Sequence, residues 1–153
     1  TVSNYMAESW LAFMETGRLN LLAYYQRDYV WTDVNQWHIW QDDIEFARLD
    51  VDFKVGSVFK FKPKGAPTFS IEITEVVENS LFTDLTKLPL AKMYDKHEII
   101  SHTDCIELKS TIRISGPLAF LWKRLIVKGI VESLPTQTEN LLKKVRDVRK
   151  QPF

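Results

Sequence analysis

The chain holds a single cysteine, Cys105, so no internal disulfide can staple it. A lone thiol points to a reducing compartment, and the expected location is cytoplasmic. Glycine is scarce as well, with five residues in a chain of 153, and none sits in the spacing of a phosphate-cradling loop. Three histidines and one cysteine show no HxxxH or CxxC spacing, so neither a metal nor a cofactor is expected. Net charge is also missing. Twenty basic and twenty acidic side chains cancel, which leaves no global field to favour nucleic acid or an anionic membrane. No apolar run is long enough to span a bilayer and no signal peptide is visible, so stable membrane insertion is not expected. Repeats, low-complexity tracts and linkers are absent too, and the expectation is one domain over residues 1–153.

Aromatics are abundant, with five tryptophans, five tyrosines and nine phenylalanines in a chain that is 45% hydrophobic. Such side chains fill cores and also suit the wall of an apolar cavity. The clearest pattern is Cys105 to Pro135. Ile106, Leu108, Ser110, Ile112 and Ile114 alternate with Glu107, Lys109, Thr111 and Arg113, the period of a strand buried on one side. Gly116-Pro117 ends it, with Ser115 as the expected helix cap and Pro117 in the first turn. The period then lengthens: Leu118, Leu121, Trp122, Leu125, Ile126, Gly129 and Ile130 form a helical stripe. Pro117 to Leu134 at ~1.5 Å per residue is roughly 27 Å of helix, enough to cross a small domain. Pro135 is expected to kink or restart it, and a basic tail from Lys143 to Lys150 complements the helix dipole. Gly129 in the stripe reads as a close approach of helix to sheet.

Upstream, six strands follow one another. Ile44–Asp50, Ser57–Lys62, Thr68–Val77, Ser80–Thr86, Ala91–Ile100 and the strand after Cys105 are separated by turn signals at Gly56, Pro63–Pro67, Glu78-Asn79, Lys87–Pro89 and Ser101–Asp104. Before them, Trp31–Trp40 reads as the end of one helix and a short second one, with Asp33 and Asn35 in turn or cap positions. The first thirty residues admit two readings. One is a short strand from Trp10 to Thr16 followed by a helix from about Asn20; the other is a longer helix from Tyr5 broken at Gly17. The fold class is α+β, an antiparallel meander with a terminal helix across one face.

Several runs in order resemble the SRPBCC proteins of the START-like, helix-grip superfamily, often described as polyketide cyclase/dehydrase-like. They are WTDVNQWHIW, VGSVFKFKPKG, FSIEITEVVENSLFTDLTKLPLAKM, ISGPLAFLWKRLIVKGI and ESLP, and together they span about residues 31–142. The resemblance implies a curved antiparallel sheet of about six or seven strands wrapped around a long C-terminal helix, with two short helices near the N-terminus. It also implies a tunnel between sheet and helix that holds a small hydrophobic or amphipathic molecule. The N-terminus departs from the pattern: Asp28 stands where the family has an apolar residue, often tryptophan, five positions before the aspartate of the TDV motif.

Within such a tunnel the apolar wall is expected from Trp40, Phe59, Phe61, Phe69, Ile71 and Phe82, continued by Met93, Ile112, Leu121, Trp122 and Leu125. Ser110 would bond a polar end of the ligand. Met93, Asp95, His97 and Ile99 lie two apart, so an acid and a histidine share the inner face of one strand. They are the candidate catalytic pair, His97 to move protons and Asp95 to set its state. The same two residues equally suit mutual satisfaction near a barrel mouth. His38 and His102 lie in turn-like contexts and Cys105 on the polar face of its strand, with no activating partner in view. Three functions remain open: a binding module for a small hydrophobic molecule, monomeric or homodimeric; an acid–base enzyme of the cyclase/dehydratase kind; and an interaction protein whose cavity is filled by its own side chains.

Overall fold

The computed structural model describes the backbone at 2–4, 9–12, 30–103 and 106–150, and the side chains at 30–103, 107–144 and 147. Eight strands make one antiparallel sheet. They are β1 (Val2–Asn4), β2 (Ser9–Ala12), β3 (Ile44–Arg48), β4 (Val58–Pro63), β5 (Phe69–Val77), β6 (Leu81–Leu88), β7 (Ala91–Ser101) and β8 (Ile106–Ser115). The spatial order is β1-β8-β7-β6-β5-β4-β3, and β2 also pairs with β8. The expected six-strand meander is β3 to β8. β1 and β2 share the free edge of β8, at 113–115 and 106–109 respectively.

The strand at Ser9–Ala12 excludes a continuous helix from Tyr5 and places the expected Trp10–Thr16 strand slightly earlier. β1 was not anticipated. The expected helix from Asn20 and the positions of Asp28 and Cys105 lie outside the described residues. The chain is helical at 30–32; a tight turn at Val34–Gln36 then runs into α1 (Trp37–Trp40), which matches the two short helices. Asn35 fastens this turn to the sheet edge. Its amide nitrogen donates to the Leu49 carbonyl, and its oxygen accepts from the Leu49 N–H, both at 2.9 Å.

β6 and β7 form an unbroken ladder. Every residue from Leu81 to Leu88 has a partner between Ala91 and Glu98. Period-two alternation along these strands sends Phe82, Asp84 and Thr86, with Met93, Asp95 and His97, to the inner face. Bulges interrupt β3 between Ile44 and Phe46 and β5 between Ile73 and Glu75. The first lets Ile44 and Ala47, three apart, both bury.

The C-terminal helix begins as α2 (Ala119–Trp122), passes through a π-helical segment (Lys123–Val127) and continues as α3 (Lys128–Lys150). Three expectations are corrected here and one is narrowed. Ser115 is the last residue of β8 rather than a helix cap; Leu118 takes that position and makes no side-chain cap. The helix runs through Pro135 and does not restart there, with Leu134 and Leu141 both buried, which leaves a kink as the reading of that proline. Gly129 is exposed, and a Cβ there would meet nothing within 4 Å, so it marks no close approach. Finally, the apolar stripe slips in phase. A π segment carries an extra residue per turn, and the inward residues become Ala119, Ile126, Val127, Ile130, Val131 and Leu134. Leu121 and Leu125 turn outward, at 38% and 64% exposed.

Candidate functional site

The inner face of the sheet and the C-terminal helix enclose a cavity of about 210 Å³. A single water needs only ~10–15 Å³ of such space, so this is a chamber rather than a packing defect. Apolar clusters close both ends. Leu88, Ala91, Met93, Ile114 and Val127 pack together at one; Val30, Ile99, Leu108 and Leu141, with Trp31 and Trp40, pack at the other. The walls beside β3, β4 and β5 rest on Val34, Ala47, Phe59 and Ile73.

The residues expected from the sequence divide into two groups. Trp40, Phe59, Phe61, Phe69, Ile71 and Phe82 line the cavity, as do Met93, Asp95, His97 and Ser110. Four do not. Leu121, two residues after buried Ala119 in α2, and Leu125, within the π segment, point to the outside. Trp122 packs on the end cluster and donates its indole N–H to the Pro89 carbonyl at 2.9 Å, so it clamps a hairpin instead of facing a ligand. Ile112 is fully buried within that same cluster and has no cavity surface. Conversely, the helix contributes Ile126, Ile130, Leu134, Gln137 and Leu141, while Trp31 and Trp37 close the side toward α1. Trp37 meets Phe59 and Phe61 edge to face and donates to the Trp31 carbonyl.

Across the middle of this apolar chamber lies a belt of polar side chains. His97 Nε2 stands 3.6 Å from Asp95 Oδ2 and 3.6 Å from Asp84 Oδ2, at the margin between hydrogen bond and ion pair. The two acids face each other directly across β6 and β7. On the other side of the ring, His97 Nδ1 lies 3.3 Å from Ser110 Oγ on β8. Phe82 lies against the imidazole at 4.5 Å between ring centres, and Trp31 meets it edge-on at 5.8 Å. The histidine is thus held in place by three strands and two aromatic rings. Asp84 is the member absent from the expected pair. Its signal was present: Phe82 was read as inward, and Asp84 is two residues on.

Burial and charge compete in this belt. Burial pulls the His97 imidazole down, but the nearby Asp95 carboxylate, joined by the contact and charge of Asp84, outweighs it and raises the pKa to about 9. Burial pushes the Asp95 carboxyl up, the charge of His97 pulls it back, Asp84 pushes it up again, and it settles at about 6. Near neutral pH the belt therefore holds an imidazolium with carboxylates on either flank. Asp95 Oδ1 and Trp40 Nε1 are buried without a hydrogen-bond partner among the described residues. Elsewhere, His38 is exposed, and His102 is exposed and bonded to Glu107 at 2.9 Å. No group of three His, Cys, Asp or Glu among the described residues is arranged to hold a metal ion.

Solved structures share this architecture. Ara h 8.0201 superposes with a TM-score of 0.70 at 11% identity, covering 96% of this chain and 99% of its own. The fold is the START-like helix-grip fold, in its Bet v 1-like form. Norcoclaurine synthase from Thalictrum flavum, solved in complex with dopamine and hydroxybenzaldehyde, has the same fold at a TM-score of 0.67 and 10% identity over 99% of this chain and 91% of its own. A Staphylococcus aureus protein of unknown function follows at 0.65 and 10% identity, covering 98% of each chain. No family model matches the helix-grip chain. No curated protein matches it either. No helix among its described residues is long and apolar enough to cross a membrane.

Proposed function

We propose that this helix-grip chain is a single domain over residues 1–153 that binds a small amphipathic molecule in the chamber between sheet and C-terminal helix. The observation that carries this reading is the chamber itself, about 210 Å³ with apolar ends and a polar belt at its middle. The aromatic walls at Phe59, Phe61 and Trp37 would bury the apolar body, and Ser110, Asp95 and His97 would orient a polar group. The fold neighbours support a hydrophobic ligand as the general class. The lone cysteine favours a cytoplasmic setting.

Native mass spectrometry of the purified protein, followed by denaturing extraction, tests the reading. A stoichiometric small molecule is the expected result. Ile130→Trp, which fills the chamber from the helix side, should abolish retention of that molecule and displacement of an apolar fluorescent probe while the fold persists. Uptake unchanged in a folded Ile130→Trp protein would remove the chamber as the site.

One observation favours a second reading, an acid–base enzyme of the cyclase/dehydratase kind. His97 has a carboxylate on each flank and a hydroxyl on Nδ1, so it holds a proton inside a largely apolar chamber. In that reading His97 donates the proton and the acids govern its return. His97→Gln would then abolish turnover of the extracted molecule and leave its binding intact. Turnover retained in that variant would leave His97 as an orienting group only.

A further inference from the structure

The tip where the β6–β7 hairpin meets the start of the C-terminal helix is unlike the rest of the surface. Four large apolar side chains stand out there: Leu90 and Phe120, each 66% exposed, with Leu125 at 64% and Leu121 at 38%. Leu90 occupies the hairpin turn with a φ of +54°, where glycine or asparagine would be relaxed. The tip is built rigidly. Leu118 N–H donates to the Leu90 carbonyl at 3.2 Å, and the Trp122 indole donates to the Pro89 carbonyl. Gly116 lies so close beneath that a Cβ there would collide with the Leu90 oxygen.

The charges around these side chains are of one sign. Segments 85–94 and 113–131 contain six Lys and Arg and no Asp or Glu, in a chain whose net charge is zero. Lys92, Arg113, Arg124 and Lys128 are exposed there. Lys87 reaches Glu72 at 3.1 Å and Lys128 reaches Glu132 at 3.8 Å, acids outside these segments, in water-exposed pairs of little strength. Two exposed apolar side chains elsewhere have acidic chain neighbours instead: Val51 lies between Asp50 and Asp52, and Val77 precedes Glu78.

We propose that this tip docks on the surface of an anionic lipid bilayer, with Leu90, Phe120 and Leu125 entering the headgroup–acyl boundary and the surrounding lysines and arginines lying against lipid phosphates. A large apolar residue ringed by cations is the chemistry such interfaces select. Self-association through the same tip would bring exposed Lys92, Arg113 and Arg124 against their own copies, which argues against a second copy as the occupant. Projection of the apolar groups from a hairpin turn and a helix start, instead of a groove, favours a fluid surface over a folded acidic partner. The inference is independent of the chamber's ligand. It gives the helix two duties, since Leu125 faces the outside and its neighbour Ile126 the chamber.

Co-sedimentation with phosphatidylcholine vesicles, with and without phosphatidylserine, tests it. Binding should require phosphatidylserine and weaken with added salt. Arg124→Gln and Lys92→Gln should each weaken it by about fivefold. Phe120→Ser should weaken it by about tenfold with the fold unchanged, since that ring is not in the core. No association with anionic vesicles, equal binding to neutral ones, or indifference to all three substitutions would overturn the proposal. So would a concentration-dependent dimer that Phe120→Ser dissolves.

Discussion

Removing one carboxylate from the belt should move the His97 titration by an amount the geometry sets. Each acid places an oxygen 3.6 Å from Nε2. At an effective dielectric of ~20 each pair is worth about 4–5 kcal/mol, enough to move a pKa by roughly 3. Burial opposes both, and the balance is a His97 pKa of about 9 against an ordinary 6.5. In Asp95→Asn one attraction is gone and burial persists, so His97 should titrate at roughly 6. With Asp84→Asn added, burial stands alone and the value should fall further. Heteronuclear NMR of the His97 imidazole across the neutral and alkaline range reads this directly. The stability curve should follow. A histidine whose folded pKa is raised contributes stability present in full below about 6.5 and lost as pH rises through about 9. That contribution is roughly 3 kcal/mol. Asp95, also raised, acts with the same sign, its share present below 3.8 and lost as pH rises through about 6. Denaturant midpoints should therefore decline from neutral to alkaline pH in the parent protein and flatten in Asp95→Asn. A parent His97 titrating near 6.5, or a value unmoved by Asp95→Asn, would refute the reasoning.

Two other outcomes test the frame around the site. Asn35→Ala removes both bonds to the Leu49 backbone and should cost about 2 kcal/mol in urea unfolding; a loss below a few tenths would mean that the α1 turn is held by its tryptophans alone. Gly116→Ala sets a Cβ against the Leu90 carbonyl at a φ of +121°, and should lower stability by at least ~2 kcal/mol, read as a fall in Tm.

Sequence periodicity located the meander well because each strand of β4 to β8 has one buried face, and a one-residue slip would turn Phe59, Ile71 or Ile112 outward. The pair at Asp95 and His97 was legible for the same reason. The same alternation from Phe82 places Asp84 on the inner face, but an acid there draws no notice until the strand opposite is known to carry His97. The helix misled in the other direction. Leu121 and Leu125 continue a regular stripe from Leu118, and nothing local announces a π turn; only the joint fit of Ala119 and Val127 against the sheet selects it. Trp122 satisfied the pattern and yet serves Pro89, since an indole N–H seeks a carbonyl wherever one is in reach. The two strand segments on the edge of β8 rest on pairing with a distant strand, which no local alternation encodes.

The facing carboxylates of Asp84 and Asp95 also bear on how this protein responds to engineering. Like charges opposite one another in a ladder strain the sheet, and His97 relieves that strain only while it keeps its proton. Above the pH at which His97 loses its proton, an amide at either position would ease repulsion and desolvation at once, whereas near neutral pH it would also forfeit the attraction to the imidazolium. Every such gain would erase the chamber's polar belt. Under the proposed reading, stability and the orienting of a ligand would then be opposed at the same two residues.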